Sequence, residues 1–127
     1  MFCPDCWQEV NALAPVCETC GATLAGDKRS YTEKLIAALR HPEALTRRRA
    51  AFILGRRRDQ AAVIALTALL DAPGDDPYVR AEAACALAAI GGPEAMEALV
   101  RAASNPAASV IVRRVATASL KRNQAHG

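Results

Sequence analysis

The chain has 127 residues, a net charge of +3, and 52% hydrophobic residues with only 4% aromatic. That length supports one ordinary domain, or a small domain with a metal-held module beside it. The mild charge does not by itself require a nucleic-acid or membrane partner, and no apolar stretch nears the roughly 20 residues of a membrane span. The first residues lack the basic and apolar regions of a secretory signal. A soluble, cytoplasmic chain with reduced thiols is therefore expected.

Residues 1–26 are expected to form a separate module. They hold Cys3, Cys6, Cys17 and Cys20, two Cys-x-x-Cys pairs with ten residues between them. Each pair lets one tight turn aim two sulfurs at one point, and four thiolates satisfy tetrahedral zinc at about 2.3 Å. The expected site is zinc held by Cys3, Cys6, Cys17 and Cys20; iron fits the same ligands. Four protein ligands leave no open position, so the site reads as structural. A reducing compartment weighs against two disulfides, and the missing βαβ context weighs against a redox dithiol. The knuckles "CPDC" and "CETCG", followed by "ATL", resemble the short zinc-ribbon modules of prokaryotic proteins. Gly21 follows the second knuckle, while Trp7 stands where a glycine would follow the first.

"GDKRS" at 26–30 reads as a linker. The remainder, 27–127, is predicted to be all helical. Helices are expected at 31–40, 44–57, 60–71, 77–90, 93–104 and 107–122. Prolines in "HPE", "APGDDP" and "SNPAA" break them, and "GGPE" sets a glycine pair after one helix and Pro93 at the start of the next.

The helices pair into a repeat. A shift of 33 residues sets Arg80 on Arg47 and Arg113, Ala83 on Ala50 and Ala116, and Leu87 on Leu54 and Leu120. One helical hairpin cannot bury its apolar face, whereas three stacked hairpins make a continuous core. The cysteine module is expected to cover the first end of the stack. The stretch "DDPYVRAEAACALAAIGGPEAMEALV" at 75–100 carries Asp-x-x-Val-Arg, Ala-Ala-x-Ala-Leu, Ile-Gly and Pro-Glu-Ala. On it, residues 31–122 resemble HEAT repeats, in particular the type found in phycobilisome lyases. The resemblance implies an all-α, three-repeat α-solenoid with a scaffold role. It also implies Asp–Arg bonds across repeats, through Asp75 or Asp76 with Arg80, Arg47 and Arg113. The third repeat has Asn105 and Ser109 instead of an aspartate.

Little in the chain suggests catalysis. Its two histidines are His41 and His126. The iron-dependent hydroxylases built on HEAT-like repeats use His-Glu pairs, and none occurs here. Cys85, among alanines, reads as a small core residue. Two arginine runs stand out: Arg47, Arg48 and Arg49, then Arg56, Arg57 and Arg58. Arg113 and Arg114 add charge to the last helix. Arg49 and Arg56 fall on nearly one line of the helix, with Phe52 nearby and Arg47 and Arg58 on another side. The arginines read as a solvated face, or as contacts to phosphate or an acidic protein. Fold analogy alone suggests a phycobilin-handling role. The expected function is a non-enzymatic adaptor that binds a protein partner through its solenoid surface. The alternative is a nucleic-acid-associated module. No membrane partner and no small-molecule substrate are expected.

Overall fold

The computed structural model describes residues 2–3, 6–9, 20 and 30–126. Cys17, residues 26–29 and most of the expected N-terminal module lie outside these described residues. From Ser30 onward the chain is helical. Its elements are α1 (Tyr31–Ala38), α2 (Ala44–Arg57), a 3-10 turn (Gln60–Ala62), α3 (Val63–Asp71), α4 (Pro77–Ile90), α5 (Pro93–Ser104) and α6 (Val110–His126). No strand occurs among the described residues; the only β feature there is an isolated bridge between Phe2 and Glu9. None of the described helices is long and apolar enough to cross a membrane.

Short polar residues set the helix starts. The Ser30 hydroxyl accepts from the Glu33 amide at 3.1 Å. Asp76 accepts from the Tyr78 amide at 2.8 Å, and Pro77 follows in the first turn. Each cap satisfies an amide that the helix leaves unpaired. Gly91 (φ 76°) and Gly92 (φ 94°) turn the chain from α4 into α5 in a backbone region that favours glycine. α6 starts at Val110 rather than 107. The Asn105 side chain takes the Ala107 amide at 2.9 Å, and the Ser109 hydroxyl takes the Val112 amide at 3.3 Å. These bonds compete with the helix for residues 106–109.

Three hairpins, α1/α2, α3/α4 and α5/α6, stack in two layers. α2 packs on α4 and α4 on α6, while α3 lies against α5 in the other layer. Leu54 and Leu87, and Leu66 and Leu99, occupy equivalent sites one repeat apart, and all four are fully buried. Burying each leucine contributes about 1.5–3 kcal/mol. Between α2 and α4 the contact is made by small residues. A Cβ on Gly55 would sit 2.8 Å from the Ala86 Cα. That is why the alanine-rich composition builds the core without large rings.

The expected Asp–Arg bonds are formed at one junction. Arg47 of the first repeat pairs with Asp75 of the second at 2.7 Å. The equivalent Arg80 instead donates through Nε to the Leu70 carbonyl at 2.9 Å, at the end of its own hairpin's first helix. Arg113 continues neither pattern, and its buried Nε has no partner.

Candidate functional site

The cysteines converge. The sulfurs of Cys3, Cys6 and Cys20 all lie within 4.8 Å of one another, with Cys3 and Cys20 at 3.6 Å. None of the three is in a disulfide. The first knuckle is a tight turn. The Trp7 amide donates to the Cys3 carbonyl at 2.8 Å, and the Cys3 amide donates to the Gln8 carbonyl at 3.0 Å. Trp7 has φ 57°, the left-handed conformation for which glycine is suited. It is 1% exposed and belongs to the same apolar core as Leu35 and Leu39. The fourth expected ligand, Cys17, lies outside the described residues.

The arginines divide by contact. Arg47 reaches Asp75 and also the carbonyls of His41 (2.7 Å) and Pro42 (2.9 Å), so it joins two repeats. Arg57 pairs with Asp59 at 2.9 Å and lies 4.9 Å from the centre of the Tyr31 ring. Arg58 closes α2 with φ 54°. Arg47 and Arg57 hold the fold through these contacts, while Arg58 marks the end of the helix by its backbone. Arg48, Arg49 and Arg56 instead border grooves between α2 and α4. Arg113 and Arg114 line an open hollow of about 470 Å³ along α6, with Val110 and Lys121.

Two adjoining grooves lie between α2 and α4. One, of about 350 Å³, lies among Leu45, Arg48, Arg49, Phe52 and Glu82. Its neighbour, of about 280 Å³, adds Cys85 and the small residues Gly55, Ala86 and Ala89 as floor. Phe52 is 53% exposed, and the Arg56 guanidinium lies 6.0 Å from its ring centre. Glu82 accepts a long ion pair from Arg48 at 3.7 Å. Arg48 also lies 5.8 Å from the ring centre of Tyr78. Burial pushes the Cys85 thiol above its usual value; Glu82 adds to that rise and Arg122 opposes it. Cys85 is therefore half-buried at a groove wall, and not the core residue its alanine neighbours suggest. Glu82 was absent from the expected site residues. The 33-residue register signals it, because Glu82 falls on Arg49 just as Cys85 falls on Phe52.

The family described as HEAT repeats matches residues 32–121. The chain is 40% identical to the deoxyhypusine hydroxylase of Gallus gallus over 85 residues, which cover 66% of this chain and 28% of that protein. It is 39% identical to the deoxyhypusine hydroxylase of Danio rerio over 67 residues, 53% of this chain and 22% of that one. The solved structure of human deoxyhypusine hydroxylase in complex with glycerol superposes with a TM-score of 0.69 at 32% identity, covering 74% of this chain and 32% of that chain. The chain thus spans less than a third of each of these proteins. The match is to HEAT repeats in general and carries no statement about the phycobilisome-lyase type.

These relatives correct four expectations. They are enzymes by name, which overturns both the non-enzymatic adaptor and the nucleic-acid alternative. A hydroxylase has a substrate, so the expectation of a protein partner without any small-molecule substrate is corrected as well. Zinc is corrected as the protein's cofactor: inserting oxygen needs a redox-active centre, and zinc has no redox chemistry. The physical reason for the misreading is that HEAT hairpins bury the same apolar pattern whether or not their inner face carries a reaction.

The hydroxylase resemblance implies iron with histidine and glutamate ligands, and the repeat residues present do not fit it. His41 lies in the turn between α1 and α2, and His126 ends α6. Glu82, the carboxylate in the groove, faces Arg48. Among the described residues, Cys3, Cys6 and Cys20 are the only three His, Cys, Asp or Glu side chains close enough to share an ion.

Proposed function

The chain belongs to the HEAT-repeat family, and from that premise we propose that it is a substrate-recognition module of hydroxylase type, acting in the reducing cytoplasm. Its substrate class is that of its relatives: a polypeptide carrying deoxyhypusine, a lysine side chain extended by an amine. The observation that carries this reading is the 40% identity to a hydroxylase of that residue, in a chain whose HEAT match contains the whole α2/α4 groove. The groove has suitable chemistry. Glu82 supplies a carboxylate for an amine, Phe52 supplies an aromatic face for the alkyl stem or the cation, and the arginines beside them suit acidic flanking residues. In this reading the groove binds and orients the substrate. Oxygen chemistry calls for a redox centre that the described residues do not build.

Calorimetric titration of the purified chain tests it, with a deoxyhypusine-bearing peptide set against the same peptide bearing lysine. The reading predicts saturable binding that favours deoxyhypusine. It also predicts about a tenfold loss in Glu82→Gln, equivalent to roughly 1.4 kcal/mol. Equal affinity for the two peptides would overturn it.

A further inference from the structure

The thiol cluster is not used by that reading. We propose that Cys3, Cys6 and Cys20 hold one soft or borderline divalent metal ion in a structural site, and that loading this site seats Trp7 in the end of the repeat core.

Three observations carry the proposal. First, the sulfurs are spaced for a shared ion. A tetrahedral thiolate site with metal–sulfur bonds of about 2.3 Å holds its sulfurs about 3.8 Å apart. Cys3 and Cys20 lie at 3.6 Å, and all three sulfurs fall within 4.8 Å. A disulfide would need about 2.05 Å. Cys3 and Cys20 come from positions 17 residues apart, so the approach is tertiary and not a local accident of one turn.

Second, the turn at Cys3–Cys6 is built around the sulfurs. The bonds from the Trp7 amide to Cys3 and from the Cys3 amide to Gln8 fold the backbone back on itself. Within this turn Trp7 sits at φ 57°, a left-handed conformation that a bulky residue rarely adopts. Something must hold that strain. An ion bonded to Cys3 and Cys6 on one side of the turn and to Cys20 on the other would do so.

Third, the strained residue is the connection to the repeats. Trp7 is 1% exposed and shares a core with Leu35, Ala38 and Leu39 of the first hairpin. Phe2, beside Cys3, packs partly against the same core. A solenoid end exposes apolar surface unless something covers it. So few residues cannot fold alone, and metal binding would supply the free energy of ordering. The ion's role here is structural and separate from any oxygen chemistry.

Trp7 is the only tryptophan, so the chain reports on its own site. The experiment adds cobalt(II) to the reduced, metal-free full chain. It reads thiolate-to-cobalt absorption and, in the same samples, the accessibility of Trp7 to acrylamide. The proposal expects tetrahedral cobalt bands that saturate at one equivalent, with Trp7 protection reaching its end point at the same ratio. Cys3→Ser and Cys20→Ser should weaken the bands at least tenfold, while Cys85→Ser should leave them intact. Far-UV circular dichroism distinguishes a lost site from a lost fold, since the helices lie outside the cysteine cluster. Absence of thiolate–cobalt bands in the wild-type chain would overturn the metal site. Bands without any change at Trp7 would overturn its coupling to the repeats.

Discussion

Arg47 and Asp75 meet at 2.7 Å across 28 residues of chain, and their pair fastens the second helix of the first hairpin to the loop that opens α4. Their side chains are only 17% and 13% exposed, so solvent screens the pair weakly. The same guanidinium also donates to two carbonyls in the turn before α2, those of His41 and Pro42. Arg47→Ala removes all three contacts and leaves Asp75 half-satisfied. The expected loss is about 2–3 kcal/mol, in line with hydrogen bonds to charged groups. Asp75→Asn should cost less, roughly 1 kcal/mol. Thermal melts check both, at roughly 4–8 °C per kcal/mol for a domain of this size. An unchanged midpoint in Arg47→Ala would remove this pair from the account of repeat stacking.

Gly55→Ala sets two effects against each other. Alanine improves helix propensity by about 1 kcal/mol. Its Cβ, however, would lie 2.8 Å from the Cα of Ala86, a backbone atom of the packed helix α4. Overpacking of that kind costs about 1–3 kcal/mol, so a net loss of about 1 kcal/mol is expected. Chemical denaturation that finds the variant more stable would contradict the close approach of α2 and α4.

Arg58 closes α2 at φ 54°, where its amide donates to the Gly55 carbonyl and the next amide to the Leu54 carbonyl. Glycine is the usual residue at such a helix end. Arg58→Gly should therefore raise stability by about 1 kcal/mol. The same variant tests the arginine's role, because Arg58 is not among the groove's bordering residues. Peptide binding should be unchanged, and a lowered melting point would show that the side chain does more than end the helix.

Burial, and then Glu82, raise the Cys85 thiol above its ordinary value, against an opposing pull from Arg122. The folded state thus disfavours the thiolate. The stabilisation tied to this group is fully present below the unfolded thiol's value and is lost as pH rises through the folded one. At mildly alkaline pH, iodoacetamide should modify Cys85 several-fold more slowly in the native chain than in urea, because the thiolate is the nucleophile. Glu82→Gln should speed the native reaction, and Arg122→Ala should slow it. Mass spectrometry of the Cys85 peptide reads the rates, and equal native and unfolded rates would contradict the groove's description.

Much of the fold was legible because the repeat is written in the apolar positions. Leu54 and Leu87 stand 33 residues apart and occupy the same buried place in successive hairpins. Helix breaks were legible where proline or paired glycine sets them, as at Pro77 and Gly91–Gly92. The start of α6 was not, since Pro106 points to a start at 107 while side-chain bonds from Asn105 and Ser109 compete with the helix and delay it to Val110. For the site, the spacing names Cys3, Cys6, Cys17 and Cys20; the sulfurs of Cys3, Cys6 and Cys20 lie within 4.8 Å of one another, and Cys17 lies outside the described residues. The arginine runs were misleading as a group. Arg47 and Arg57 serve the fold, and only their partners in space, Asp75 and Asp59, reveal it; Arg58 ends α2 by its backbone alone. Glu82 lies in α4 and borders the groove only because α4 stacks on α2, a relationship that no local motif records. The enzymatic kinship was hidden for a similar reason: repeat hairpins carry packing signals strongly and reaction signals weakly.

The central claim is that the face between α2 and α4 receives the substrate. The most direct measurement is an NMR titration of the isotope-labelled chain with a deoxyhypusine-bearing peptide. The account predicts shifts concentrated at Arg48, Phe52, Glu82 and Cys85, the residues that border the grooves. Shifts confined to the opposite layer, around the exposed Ile64 of α3 and Val100 of α5, would contradict it, as would no shifts at all.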